Sequence, residues 1–152
     1  MNSAQIPRSL HVLIPCAGSG TRMGFSMPKQ FEVLADKPMV LHSIHTFLQM
    51  SEIQTVWVGV STEGKDIPGG EWPDEQRLVI RDTGGATRHE TVLNTLGAML
   101  SAGVSEDDWV LVHDAARALA SSALAKNVLR ELENGEAAVI PALNVVDTIK
   151  EV

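Results

Sequence analysis

The chain has 152 residues, one domain's worth, of which 44% are hydrophobic and 20% charged, the proportions of an ordinary globular protein. Its 19 acidic and 12 basic residues give a formal net charge of -7, which argues against a generic nucleic-acid binder with a basic face. The lone cysteine, Cys16, excludes an internal disulfide and points to a reducing, cytoplasmic setting. No apolar run approaches the ~18 residues needed to span a bilayer, and "MNSAQIPRSL" lacks the apolar core of a signal peptide.

Residues 11–16 form a short continuous apolar run, the pattern of a strand buried on both faces. A glycine-rich turn follows, and the stretch "PCAGSGTRMGFSMPKQ" carries an arginine and a lysine but no carboxylate, in a chain that is acidic overall. Residues 38–50 place Val40, Leu41, Ile44, Phe47 and Leu48 on one helical stripe, with proline in the first turn. "IQTVWVGVS" reads as a second strand, residues 62–76 as a loop, and "RLVIRD" as a third strand. "TGGATRHE" is a second glycine-rich corner that opens the helical stretch "ETVLNTLGAMLSAG". "DWVLVHDAA" is a fourth strand ending in a polar turn. Residues 121–133 form a helix capped by Ser121 or Ser122 and stopped by Asn134-Gly135. "AAVIPAL" and "VDTIKEV" read as two further strands. Alternating strands and helices predict an α/β, three-layer fold with a mostly parallel sheet, whose strand C-terminal ends carry the ligand.

The first turn is neither of the two common nucleotide loops. Gly18 and Gly20 fit a dinucleotide fingerprint, but Met23 stands at its third glycine position, and no glycine precedes a Lys-Ser/Thr pair. Its backbone amides still make a phosphate cradle, and the same spacing serves a bare strand-to-helix turn. Arg22 and Lys29 bracket it, one a fork for phosphate oxygens and the other a point charge. Asp114, at the end of a strand, is placed either to hold Mg²⁺ shared with substrate phosphates or to pair with Arg117. Gly84 and Gly85, followed by Arg88 and Thr91, either expose backbone groups to a base edge or simply turn the chain into a helix. His89-Glu90 does not continue to metalloprotease spacing, and His42 and His45 lack a third ligand.

Together, "PCAGSGTRMGFSMPKQF", "GGATRHET", "VHDAAR" and "DTIK" closely resemble the 2-C-methyl-D-erythritol 4-phosphate cytidylyltransferase family. The resemblance implies a nucleotidyltransferase (Rossmann-like) domain over residues 1–152. There the phosphate of methylerythritol phosphate attacks the α-phosphorus of CTP and pyrophosphate leaves. It implies that Arg22 and Lys29 stabilise the transition state, and that Asp114 binds Mg²⁺ with Ala115 beside the ribose. Cys16, Ala17, Gly18, Gly20, Gly85, Ala86 and Thr91 would hold the nucleotide, and Thr148 would lie near the acceptor. Three positions depart from the pattern: Cys16 for alanine, Thr91 for serine, and Ala118 for the proline after "AAR". Family members continue past "DTIK" into a dimerising arm and further elements, so a C-terminally truncated, monomeric chain is expected where the family forms homodimers. Two alternatives stand beside this reading: a ribitol-5-phosphate cytidylyltransferase with a similar opening motif, and a truncated module that binds CTP without turnover.

Overall fold

The structure, a computed structural model, describes residues 8–18, 27–62, 66–68 and 70–142. Its elements run β1 (Leu10–Pro15), a 3₁₀ turn (Lys29–Phe31), β2 (Val33–Leu34), β3 (Lys37–Pro38), α1 (Met39–Leu48), β4 (Ile53–Val60), β5 (Leu78–Asp82), α2 (Arg88–Ser101), β6 (Trp109–Val112) and α3 (Ser122–Glu133). The chain divides into two compact units, Met1–Leu119 and Ala120–Val152.

In the first unit the sheet is parallel throughout, in the order β5-β4-β1-β6. The chain leaves β1 towards β4 and β5, then returns across to β6 on the other side of β1. The strand order therefore reverses at β1, and the crevice beyond the carboxyl ends of β1 and β6 is where open α/β sheets take their ligands. Parallel strands with helices on both faces must be apolar on both faces. Val12, Leu13 and Ile14 are accordingly fully buried, as are Val56, Val58 and Val60 of β4. On one face α2 sets Met99 against Leu13 and Trp57. On the other, Phe47 of α1 stacks edge-on to His113, with ring centroids 5.1 Å apart. Since Leu13 pairs with Val112, His113 lies one pleat position off and projects from the opposite face. The predicted three layers are present.

Local chemistry sets the ends of these elements. Thr87 caps α2 by accepting from the Glu90 amide at 3.1 Å, and Ser121 caps α3 by accepting from Leu124 at 3.2 Å. At the C-terminal end of α1 the Arg77 guanidinium donates to the carbonyls of Leu48, Met50 and Ile53, which the helix itself cannot satisfy. At the opposite sheet edge from the crevice, Asp108 gathers the amides of Ser9 (2.8 Å) and Ser105 (3.1 Å) and faces His11 Nε2 at 3.4 Å. Trp57 Nε1 donates to Thr55 Oγ1 at 2.8 Å, and Thr55 in turn lies 2.6 Å from His11 Nδ1. Burial pulls the Asp108 carboxyl upward, but these hydrogen bonds and the imidazole outweigh it and hold it below its ordinary pKa.

One element is new and one expectation changes. The hairpin β2–β3 carries no glycine or asparagine to announce it. Its turn residues Ala35 (φ 45) and Asp36 (φ 79) nevertheless both take positive φ, the geometry of a primed two-residue hairpin. The expected strand "AAVIPAL" is not one over residues 137–142, its described part. Pro141 offers no N–H to a ladder, and Ile140 is 87% exposed, with no neighbouring strand to pair against among the described residues. The expected strand "VDTIKEV" lies outside the described residues.

Candidate functional site

Three chain corners meet at the crevice. The first follows β1. Cys16 keeps its amide in the sheet, donating to the Gly59 carbonyl at 2.7 Å. Burial pushes its thiol up to about 12, so at neutral pH it is an inert packed group, and any contact with a ligand runs through its backbone. Ala17 and Gly18 turn outward. Gly20 and Arg22 lie outside the described residues, as does Thr148.

Gln30 holds this corner in shape. Its side chain is buried (7% exposed), and its amide Nε2 donates to the carbonyls of Gly18 at 2.8 Å and Cys16 at 3.2 Å. With those carbonyls drawn inward by a fixed donor, the backbone of residues 16–18 is held in place. Lys29, half-buried, sits beside Gln30 on the same 3₁₀ turn. Phe31, the last residue of that turn, packs edge-on to Trp72 of the long loop, with centroids 6.4 Å apart.

The second corner follows β5. Gly84 is in close approach: a Cβ there would stand 2.9 Å from both Ala17 Cβ and Ser61 Cα. The first and second corners are therefore in contact, and only glycine allows it. At Gly85 a Cβ would meet Glu90 Cβ at 2.3 Å. The loop is then tied to the first turn of α2. The Gly85 amide donates to Thr91 Oγ1 at 3.0 Å, the Ala86 amide to Glu90 Oε2 at 2.7 Å, and Thr91 Oγ1 to the Thr87 carbonyl at 3.1 Å. Thr91 is 2% exposed and its hydroxyl proton is already committed. In this structure its part is to shape the Gly85–Ala86 backbone from beneath.

The third corner follows β6. Asp114 opens a tight turn in which the Arg117 amide donates to the Asp114 carbonyl at 3.0 Å. The turn is pinned from α1. Ser43 Oγ donates to the Arg117 carbonyl at 3.1 Å, and His113 Nε2 lies 3.0 Å from the same oxygen. Desolvation lowers the His113 pKa, which keeps the imidazole neutral and its ring in this donor role at neutral pH. Ala115 is buried against the turn. The pairing of Asp114 with Arg117, left open by the sequence, is present: Arg117 Nε lies 2.9 Å from Oδ2. Arg88 takes the other oxygen, with Nε 2.8 Å and Nη2 2.7 Å from Oδ1. That contact binds the second corner to the third.

Among the described residues no group of three His, Cys, Asp or Glu side chains converges to hold a metal unaided. A single carboxylate at the crevice does suit Mg²⁺, which keeps most of its shell for water and substrate phosphates. Asp114, with both oxygens at the turn's surface, fits that habit. Sequence reading did not pick out Gln30 or Glu90 as supports of the loops, nor Arg88 as a partner of Asp114. Capping-box spacing, Thr87 with Glu90 three residues on, was the signal available for Glu90. The Gln30 and Arg88 contacts span 12 to 26 residues and have no local pattern.

No described helix is long and apolar enough to cross a membrane. Similarity to known proteins agrees with the geometry. The family profile "IspD: 2-C-methyl-D-erythritol 4-phosphate cytidylyltransferase" matches residues 10–152. The curated cytidylyltransferase of that name from Nitrosospira multiformis is 41% identical over 145 residues, covering 94% of this chain and 62% of the relative. That from Ralstonia nicotianae is 43% identical over 155 residues, covering 97% and 61%. A solved 4-diphosphocytidyl-2C-methyl-D-erythritol synthase superposes with a TM-score of 0.75 at 26% identity, covering 97% of this chain and 65% of that one. The chain thus spans a little over three fifths of the length of these curated relatives. With the profile running through β1, the crevice corners and beyond, the chain belongs to the 2-C-methyl-D-erythritol 4-phosphate cytidylyltransferase family.

Proposed function

We propose that the protein transfers the cytidylyl group of CTP to 2-C-methyl-D-erythritol 4-phosphate in the cytoplasm, as a step of isoprenoid biosynthesis. A phosphate oxygen of the acceptor forms the new bond to the α-phosphorus, and the α–β bridging bond breaks. Pyrophosphate leaves with that electron pair, and 4-diphosphocytidyl-2-C-methyl-D-erythritol remains. What supports this most is the second corner: the Gly85 and Ala86 amides are spent on Thr91 and Glu90. With those amides engaged, the loop's carbonyl oxygens are the backbone groups left to meet a base edge. Acceptors suit the exocyclic amino group of cytosine and oppose the O4 carbonyl of uracil at the same place.

The remaining parts take their roles from position. The turn after β1, whose first residues Gln30 holds, receives the triphosphate. Lys29 adds a point charge where negative charge is redistributed on the phosphates, and the family resemblance gives Arg22 the same task. Asp114 would hold Mg²⁺, which supplies charge neutralisation to the phosphate oxygens it shares. Pyrophosphate release by the protein, with each sugar-alcohol phosphate in turn, tests the assignment. Turnover with methylerythritol phosphate and CTP is expected, and Lys29→Ala should lower it ~10²–10³-fold while CTP affinity changes far less. Turnover with ribitol 5-phosphate alone would overturn the acceptor, and a Lys29→Ala loss confined to affinity would reduce Lys29 to a phosphate anchor.

A further inference from the structure

The Asp114 carboxylate meets a cation on each of its two oxygens. Arg88 puts Nε at 2.8 Å and Nη2 at 2.7 Å from Oδ1, while Arg117 puts Nε at 2.9 Å from Oδ2. The two arginines differ in what holds them. Arg117 belongs to the same turn as Asp114, three residues on, and its backbone is fixed by Ser43 and His113. Arg88 comes from the first residue of α2, 26 positions away in sequence, and its side chain is 59% exposed. Reaching Asp114, it crosses the mouth of the crevice from the base-reading corner to the metal-side corner. With a guanidinium on each oxygen, the carboxylate has fewer lone pairs open to a third cation, and each arginine repels a divalent ion arriving there.

We propose that Arg88 is an electrostatic latch on Asp114: it occupies Oδ1 and keeps divalent cations off the carboxylate until a triphosphate arrives to take the guanidinium. The inference rests on the reading of Asp114 as the metal-side carboxylate and adds a binding order to it. A free divalent ion must displace Arg88 at the cost of leaving that guanidinium unpaired beside another cation. A metal–nucleotide complex brings its own anionic oxygens, and Arg88 can exchange the carboxylate oxygen for phosphate oxygens that suit its fork. The latch thus favours arrival of metal and nucleotide together. It is also a direct covalent-free link between the loop that meets the base and the turn that meets the metal.

The test uses Mn²⁺ alone, titrated into the nucleotide-free protein and followed by electron paramagnetic resonance of the free ion. Removing one positive charge about 4 Å from a divalent ion is worth roughly thirtyfold in affinity at a solvated site. Arg88→Gln, which keeps a hydrogen-bonding side chain and loses the charge, is expected to tighten Mn²⁺ binding by about that factor. Arg8→Gln makes the same change of net charge beside Trp109, at the opposite edge of the sheet, and is expected to leave Mn²⁺ affinity near that of the parent. In an Asp114→Asn background the gain from Arg88→Gln should vanish, a coupling that loss of a merely structural contact does not produce. The latch is overturned if Asp114→Asn weakens Mn²⁺ binding while Arg88→Gln matches Arg8→Gln or the parent. It is also overturned if the gain survives in the Asp114→Asn background. If Asp114→Asn leaves Mn²⁺ affinity unchanged in the Arg88→Gln background, the metal reading fails and the latch fails with it.

Discussion

Replacing Gln30 by methionine removes two donors and keeps the side chain's length and most of its volume, so the effect reads out the hydrogen bonds. The two carbonyls left behind are not equivalent. The Gly18 residue is exposed, and water can replace the lost 2.8 Å bond there at little net cost. Cys16 is 2% exposed, and its carbonyl, 3.2 Å from Nε2, has no such recourse. A buried carbonyl left unpaired costs about 1–3 kcal/mol, and a rehydrated bond about 0.5–1 kcal/mol. Gln30→Met should therefore destabilise the chain by about 1.5–4 kcal/mol, or roughly 3–16 °C in Tm at this length. Gln30→Glu should be worse near neutral pH, because an ionised carboxylate would face two carbonyl oxygens. It should recover in part as pH falls towards 4, where the protonated acid regains one donor. Urea unfolding followed by far-UV circular dichroism at pH 7 and pH 5 measures both. A Gln30→Met variant within 0.5 kcal/mol of the parent would refute the claim that this side chain holds the turn.

Other consequences are as direct. The β2–β3 turn asks Ala35, which has no special tolerance, and Asp36, which has some, both to take positive φ. Ala35→Asn combined with Asp36→Gly supplies the preferred pair, and a rise in Tm of about 2–4 °C, near 1 kcal/mol, is expected by calorimetry. Asp108 titrates lower in the folded chain than in the unfolded one. As pH falls the unfolded state takes up that proton first. The stability Asp108 contributes is thus full above the ordinary carboxylate pKa, ~4, and drains as pH falls through the lower folded value. Asp108→Asn should be less stable at pH 7 and should show a shallower loss of stability on the acid side. An acid limb of unchanged slope would remove Asp108 from the account.

What the sequence made legible was whatever repeats locally. The buried runs of β1 and β4, the apolar stripe of α1 and the serine cap of α3 follow from periodicity and capping. The parallel α/β layering follows from their alternation. The i, i+3 spacing of Asp114 and Arg117 already contained their pairing. The hairpin escaped because Ala35-Asp36 adopts a turn that its residue types do not advertise. Residues 137–142 misled for the opposite reason, since β-branched and apolar side chains make a strand only where a neighbour supplies a ladder. At the site the glycine corners and their charged companions were visible, but not what steadies them. Gln30 reaching back to Cys16 and Gly18, and Arg88 crossing to Asp114, are tertiary contacts that no sequence window spans. Thr91 was picked out as a ligand contact, and the hydrogen bonds of its hydroxyl to the loop it supports had no local signal.

Base selection is the point at which the account is most exposed. The corner Gly84–Ala86 is read as an array of carbonyl acceptors made rigid by Thr91 and Glu90, and that array discriminates cytosine from uracil by one exocyclic group. Melting temperatures of this chain with Mg²⁺ and each of CTP, UTP, ATP and GTP measure the choice directly. A ligand at 100 times its Kd stabilises the folded state by about 2.7 kcal/mol, roughly 5–10 °C at this size. The account predicts a shift of that order for CTP, with UTP several degrees behind at the same concentration. Equal shifts for all four nucleotides would contradict it, leaving a crevice that recognises triphosphates and does not read the base.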